Sequence, residues 1–160
     1  MQLYNKVYLS LIYYIKEILK NNNFNADNVL DGYLDEVDVN RKDVWPTIII
    51  SRGKYFGRDV EMGASPYKTT FFMLDVYANS KSQRDDLGDI LFDNLNEQIV
   101  KIYNFNIFPT TVGDYTGITT SGDMYINSVE VIPVEPPERT NVLGEKYHII
   151  VDGMLNLPNI

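Results

Sequence analysis

The chain contains 160 residues, a length typical of one domain, so we predict a single domain over residues 1–160. Hydrophobic residues make up 44% and charged residues 22%, which excludes disorder of the whole chain. The net charge of -8 argues against binding to phosphate backbones, and the lack of cysteine excludes disulfides and thiolate metal sites.

The N-terminal segment carries its apolar residues at three- and four-residue spacing, which predicts an amphipathic helix over Leu3–Lys20. Val7, Leu11 and Ile15 belong to this stripe, and three asparagines at 21–23 end it. Charged residues interrupt the segment, and no stretch has the ~18 apolar residues that a membrane helix needs. We therefore expect no membrane association, and a location in a cytoplasm or in an assembly built there.

Two strands are predicted, one on either side of a long arm. Thr47–Ile50 is a β-branched run that follows the extended Trp45–Pro46 and ends near Arg52–Gly53. Lys68–Ala78 alternates between two faces, as a strand does. The residues between them, about 53–67, include glycines and a proline and are predicted to form an extended arm or a long hairpin.

A second amphipathic helix is predicted to begin at Asn79–Ser80 and to end near Tyr103–Asn104, with Ser82 and Asp85 resembling a capping box. Its apolar residues recur mostly at four-residue spacing: Leu87, Leu91, Leu95, Ile99 and Ile102. The stretch that follows, about 104–123, is rich in Gly, Thr and Asp and is predicted to be a long loop. Loops of this length are uncommon in small domains and usually have a function.

The last two predicted strands are Tyr125–Val134 and Glu145–Leu155. A loop at about 135–144 joins them, and Pro136 and Pro137 stiffen it, so we expect it to project from the sheet edge. The predicted order gives an α+β fold: a single mixed β-sheet with two amphipathic helices on one face and long projecting loops.

The polar residues give little indication of an enzyme. His148 is the only histidine, and we interpret it as a surface or edge-strand residue because a catalytic triad needs a nucleophile and an orienting group beside it. The densest acidic cluster consists of Asp35, Asp38, Asn40 and Asp43, but a calcium loop starting at Asp38 would have Lys42 at a ligand position. Asp114 and Glu130 lack the lysine that a magnesium nuclease would place near them. No glycine-rich phosphate loop is present, so we expect no enzymatic activity, no catalytic residue, no cofactor and no metal.

The candidate interaction residues lie in the arm and in the proline-containing loop. Tyr55 and Phe56 are adjacent aromatics flanked by Lys54 and Arg58, a combination typical of protein interfaces. Packing of these aromatics in a small extra core under the arm is the alternative. The residues predicted to contact a partner or another copy of the chain are Arg52, Lys54, Tyr55, Phe56, Arg58, Pro136, Pro137 and Arg139.

Charge is unevenly distributed along the sequence. Basic residues gather around the arm, whereas acidic residues dominate Asp31–Asp43 and Glu130–Glu138. A basic arm on one subunit could pair with an acidic loop on the next and set the register of an assembly. A mixture of solvated charges explains the same pattern.

The layout of the chain resembles that of the tail terminator and tail completion proteins at the neck of long-tailed bacteriophages, such as lambda-like and T5-like phages. The shared features are an N-terminal helix, a strand that follows a proline at Trp45–Pro46, and a long arm. A strand ending in Asp75–Ala78 then leads directly into a helix, and two further strands complete the chain. The similarity is one of layout and covers nearly the whole chain.

This resemblance implies a structural virion protein that forms a hexameric ring at the junction of tail and neck. Such a ring caps the finished tail tube and provides the docking surface for the head connector. Its partners are then other copies of itself, the tail tube protein, and a connector or neck protein. DNA passes through the lumen without specific binding, which suits an acidic chain. The implied location is the virion, after assembly in the host cytoplasm.

Other interpretations stay open. The chain could be another head-completion or neck protein, since these share small α/β layouts and assemble into rings. It could also be a small non-enzymatic regulatory or ligand-binding domain, which predicts a concave apolar pocket and an arm folded onto its own domain. A hydrolase that uses acidic residues alone is a further alternative.

Overall fold

The computed structural model describes residues 3–32, 45–58, 67–134 and 147–157, and at Tyr4, 54–58 and Tyr67 it describes the backbone alone. The elements in chain order are α1 (Leu3–Asn21), β1 (Val29–Asp31), β2 (Thr47–Arg58), β3 (Tyr67–Tyr77), α2 (Lys81–Leu95), β4 (Gln98–Asn104), β5 (Thr119–Val134) and β6 (His148–Leu157). The peptide bond between Trp45 and Pro46, just before β2, is cis.

The strands form one six-stranded sheet in the order β1-β2-β3-β6-β5-β4. β1 and β2 are parallel, and the other neighbouring pairs are antiparallel. Both helices pack against the same face of this sheet. The predicted α+β fold with a single mixed sheet is confirmed.

The hydrophobic core fills the space between the helices and one face of the sheet. The apolar stripe of α1 is buried there, with Val7, Leu11 and Ile15 fully inside. Alternate residues of β3, among them Phe72 and Leu74, reach the same core. Removing this apolar surface from water is the main favourable contribution to folding.

The C-terminal end of α1 lies where the asparagine run predicts it. Asn23 has a φ of 62°, in the left-handed region that asparagine tolerates better than most residues. The Asn22 side-chain amide donates a hydrogen bond to the Ile18 carbonyl at 2.8 Å, which satisfies one of the last helical acceptors. The C-terminal end of the first helix is therefore predictable from the sequence.

The second helix is shorter than predicted. α2 ends at Leu95 and β4 follows, so the prediction of a helix that continues to about residue 104 is wrong. Glu97 in the intervening turn has a φ of 57°, a conformation that cannot continue a right-handed helix. β4 then buries Val100 and Ile102 and exposes Ile99, which is the alternation of a strand.

The N-terminus of α2 is capped by Ser80, whereas the predicted pair was Ser82 and Asp85. The Ser80 hydroxyl accepts a hydrogen bond from the Gln83 backbone N–H at 3.1 Å. The Gln83 side-chain oxygen in turn accepts one from the Asn79 N–H at 2.9 Å. These bonds satisfy donors at a helix start, where the first backbone N–H groups have no partner within the helix.

Ser80→Ala is expected to lower the free energy of unfolding by about 1 kcal/mol, because the cap is lost. Ser82→Ala changes an exposed residue in the first turn of α2 and is the matched control, with an expected change below about 0.5 kcal/mol. Urea denaturation followed by circular dichroism measures both values. Equal losses in the two variants would contradict the assignment of the cap to Ser80.

Several strands extend beyond the predicted bounds. β5 begins at Thr119, so the loop predicted at about 104–123 spans 105–118. β1 is absent from the sequence prediction, because three residues in a polar segment show no alternation. β2 continues to Arg58, which makes the first part of the predicted arm a paired strand. Residues 59–66 of that arm and the loop predicted at 135–144 lie outside the described residues.

Candidate interaction surfaces

One face of the sheet is not covered by α1 or α2 and carries large apolar side chains. Phe71, Met73 and Ile132 expose 44%, 36% and 42% of their surface on this face. Met73, Asp152 and Glu130 form a row across three neighbouring strands, in direct register. Exposed apolar patches of this kind mark interaction surfaces. We call this region, defined by these five residues, the open face.

A groove of about 460 Å³ lies on the open face. Phe71, Met73 and Met154 supply its apolar lining, and the carboxylates of Glu130 and Asp152 also line it. These two acidic residues are direct cross-strand partners. Like charges opposite each other in an antiparallel pair are destabilising, so a cationic group placed here would relieve the repulsion.

The alternation predicted for Lys68–Ala78 places Phe71 and Met73 on the same face of the strand, but it does not identify that face as a site. The signal that could have revealed it is that both alternating faces of β3 carry large apolar residues. Only one of these faces packs against the helices, so neither helix covers the other face.

His148 lies on β6, between β3 and β5, and its side chain is only 14% exposed, so the interpretation of a surface or edge-strand residue is wrong. Its Nε2 lies 2.8 Å from Asp75 Oδ1. Its ring stacks on Tyr77 with the ring centroids 4.4 Å apart. These contacts hold the imidazole against the neighbouring strand and give His148 a packing role.

Arg52, one of the predicted interface residues, has a side chain that is almost fully buried within its own chain. Its guanidinium donates hydrogen bonds to Asp31 and, at 2.7 Å, to Asn5 of α1. It also lies over the Tyr8 ring, and the side chains of both Arg52 and Asp31 are only 5% exposed. At this position a basic and an acidic residue pair within one chain, and the pairing predicted between subunits stays a prediction.

The other predicted interface residues fall on the β2–β3 hairpin or outside the described residues. Residues 54–58 continue β2, and Tyr55–Arg58 pair with the first residues of β3. This stretch contains the predicted residues Lys54, Tyr55, Phe56 and Arg58. The predicted residues outside the described ranges are Pro136, Pro137 and Arg139.

The loop at 105–118 packs against α1 through aromatic side chains. Phe105 is buried and stacks on Tyr13 of α1 with ring centroids 5.1 Å apart. Tyr115 stacks almost parallel on Tyr103, at 3.9 Å between centroids. Phe108 stacks on Phe105 but remains 55% exposed. The loop is thus attached to the helix and still presents an aromatic residue to solvent.

The Tyr115 hydroxyl gives the protein a testable pH dependence. Burial raises the pKa of Tyr115 above its ordinary value of 10.0, and a hydrogen bond to Glu17 raises this pKa further. Since the folded pKa exceeds the unfolded one, this contribution to stability is complete below about pH 10. Stability then falls as the pH rises further, because the unfolded chain loses a proton that the folded chain keeps.

Tyr115→Phe is therefore expected to reduce the loss of stability between neutral and strongly alkaline pH. Urea unfolding midpoints at a series of alkaline pH values measure this loss. Tyr125→Phe, which changes a tyrosine 38% exposed on β5, is the control. An alkaline decline in Tyr115→Phe as steep as in the unmodified chain would contradict the prediction.

A second groove, of about 580 Å³, lies between α2 and β5. Asp89, Phe92 and Asp93 line it from the helix, and residues 129–132 line it from the strand. β4 pairs with β5 only as far as Ile126. In the described part of the chain, the rest of β5 has β6 as its one strand neighbour. The groove therefore lies at a sheet edge that carries acidic and apolar side chains.

Within the described ranges, no three His, Cys, Asp or Glu side chains are grouped so that they could hold a metal ion. The helices of that part of the chain include none that is long and apolar enough to cross a membrane. Comparison of the sequence with models of known families and with curated proteins found no match.

Proposed function

We propose that this chain is a structural virion protein that assembles into a ring at the junction of a phage tail and its neck. The ring caps the tail tube and provides the docking surface for the head connector. Its six subunits are inferred from the resemblance of the chain to tail terminator proteins. The proposal involves no chemical reaction and no cofactor. DNA passes through the ring without specific binding.

The observation that carries the proposal is the open face. Large apolar side chains at Phe71, Met73 and Ile132 are exposed on it, and a monomer gains nothing from exposing them to water. A subunit that buries this face against a partner removes that surface from solvent. Such a face is expected in a protein whose function is to assemble with other subunits.

The charge of the chain supports the same role. The net charge of -8 disfavours tight binding of DNA, which must move through the ring. The acidic residues of α2, among them Asp86, Asp89 and Asp93, are exposed. The basic residues Lys54 and Arg58 lie on the β2–β3 hairpin, so opposite charges occupy different parts of one subunit.

The test combines the purified chain with tail tubes polymerised from the tube protein of the same virus, imaged by negative-stain electron microscopy. Rings at the tube ends, with a mass of six subunits by native mass spectrometry, support the proposal. Rings that bind the head connector and leave tube ends bare indicate the alternative of a head-completion protein. A chain that remains monomeric with both partners contradicts a ring-forming role.

A ligand-binding domain is the second candidate, because the groove on the open face has the volume of a small-molecule site. Its paired carboxylates, Glu130 and Asp152, favour a cationic ligand with an apolar portion. Thermal unfolding in the presence of a panel of alkyl and aryl amines tests this candidate. A raised melting temperature that Glu130→Gln abolishes favours ligand binding over assembly.

A further inference from the structure

We propose that neighbouring copies of the chain join edge to edge into a continuous sheet. Lys54–Arg58 of β2 in one copy pairs with Glu130–Val134 of β5 in the next copy. This inference rests on the proposed assembly into a ring and names the contact that builds it. The contact is head to tail, since it uses two different edges of the subunit, and such contacts generate rings when their rotation closes.

Among the described residues, the two segments lie at unpaired edges on opposite sides of the sheet. β1 pairs with β2 only at Ile48–Ile50, so within the described ranges β3 is the one strand beside Lys54–Arg58. β5 beyond Ile126 likewise has only β6 beside it in those ranges. Each segment therefore presents a row of backbone groups with hydrogen-bonding capacity to a strand from outside.

The strand directions make the pairing antiparallel. β2 is antiparallel to β3, β3 to β6, and β6 to β5, so β2 and β5 run in opposite directions. Within one sheet Phe56 is level with Tyr125, so a second copy in the same orientation must shift by about seven residues along the strands to bring its Lys54–Arg58 against Glu130–Val134 as an antiparallel pair. β1 covers only the first part of β2, and β4 covers only the first part of β5. Neither strand therefore occupies the segments that pair.

Side-chain chemistry selects one register. Phe56 opposite Ile132 matches two apolar residues, and the same register places Arg58 opposite Glu130. Ile132 is 42% exposed and Glu130 is exposed in the single chain, so both are available. Aromatic–β-branched pairs and opposite-charge pairs directly across a sheet are the stabilising ones.

The groove between α2 and β5 provides space for the incoming strand. It is about 580 Å³ in volume and lies beside the free part of β5. Phe92 of α2 is 39% exposed and offers an apolar contact to the incoming strand. Asp89 and Asp93 at the same groove place negative charge where a basic segment arrives.

The same charges disfavour the two symmetric alternatives. Pairing of two β2 edges would bring Lys54 and Arg58 of one copy near those of the other. Pairing of two β5 edges would bring Glu130 near a second Glu130, and Pro133 lacks a backbone donor for the ladder. Like charges placed opposite each other destabilise a strand pair, which leaves the pairing of unlike edges.

Cysteine cross-linking tests the contact directly, because the chain has no cysteine of its own. The variants Phe56→Cys and Ile132→Cys are purified separately, mixed at high concentration and oxidised. The mixture is expected to give a disulfide-linked dimer, and either variant alone is expected to give little of this dimer. Ile99→Cys, at a 70% exposed position on β4, replaces Ile132→Cys in the control mixture and is expected to give no such dimer.

Charge exchange provides the second measurement. Arg58→Glu is expected to abolish cross-linking between Phe56→Cys and Ile132→Cys chains, because the introduced carboxylate would face Glu130 of the other copy. Glu130→Arg on the other partner is expected to restore it. Circular dichroism of each variant shows that it is folded, and rescue by the second change excludes a general folding defect.

The outcomes separate this inference from the proposed function. A mixed disulfide with charge rescue supports the edge contact. Rings of six subunits without the mixed disulfide overturn the edge contact and leave the proposed ring in place. Mixed disulfides in open filaments that never cap a tail tube support the edge contact and overturn the proposed function. If neither rings nor mixed disulfides form, both the edge contact and the proposed function are overturned.

Discussion

Arg52→Met is expected to lower the free energy of unfolding by about 3–5 kcal/mol, the range for breaking one partner of a buried ion pair. Arg52 and Asp31 each expose only 5% of their side chain, and the guanidinium also binds Asn5 of α1. Removing the cation leaves the Asp31 carboxylate in the interior without its charged partner. Guanidinium chloride denaturation followed by tryptophan fluorescence and circular dichroism measures the loss.

Two comparisons test whether charge burial causes this loss. The double variant Arg52→Met/Asp31→Leu removes both charges and is expected to regain most of the stability, because an apolar pair of similar volume avoids the desolvation penalty. Arg84→Met breaks the pair with Asp85, which is 54% exposed, and is expected to cost less than about 1 kcal/mol. A double variant less stable than Arg52→Met would contradict this explanation.

The contacts of Arg52 show how much of the candidate site could be predicted from the sequence. The sequence correctly places Arg52 next to a strand, although β2 continues to Arg58, and it indicates that basic and acidic segments attract each other. It cannot reveal whether the acidic partner belongs to the same chain. That depends on β1, a strand of three residues whose pairing beside β2 brings Asp31 to Arg52. Only the tertiary structure supplies this contact.

The second helix shows a limit of a different kind. Leu87, Leu91 and Leu95 continue at four-residue spacing into Ile99, and the pattern gives no indication that the helix has ended. The residues after the turn at Glu97, where the backbone adopts a positive φ, also satisfy the alternation of a strand. Short apolar runs fit either period, and tertiary packing decides between them. The first helix had no such ambiguity because its stripe is long and ends in three asparagines.

The two faces of β3 show that the sequence contains the candidate surface without identifying it. Alternation assigns Phe72 to one face and Phe71 to the other, and the structure buries the first and exposes the second. Nothing in the strand itself says which face the helices cover. That choice follows from the connections to α1 and α2, which pack on the face of Phe72.

Phe72→Ala is expected to lower the free energy of unfolding by about 3–5 kcal/mol, because it leaves a cavity in the core. Phe72 is 2% exposed, and its ring lies over Gly153 of β6. Phe71→Ala is the matched control: the same substitution, one residue away, on the open face. Its expected cost is below about 1 kcal/mol, since its side chain is 44% exposed. Equal losses in chemical denaturation would contradict the assignment of the two faces.

Gly153 extends this prediction to a pair of positions. A Cβ on Gly153 would lie 2.8 Å from two ring carbons of Phe72 and 3.2 Å from Val129, closer than carbon atoms pack. Gly153→Ala alone is therefore expected to destabilise by about 1–3 kcal/mol, the cost of overpacking. In the Phe72→Leu background the ring is gone, so the added methyl group meets the space that the ring has left. The double variant is expected to be more stable than the sum of the two single losses predicts, with a coupling of about 0.5 kcal/mol or more. Strict additivity in the denaturation energies would show that the ring and the glycine do not share this space.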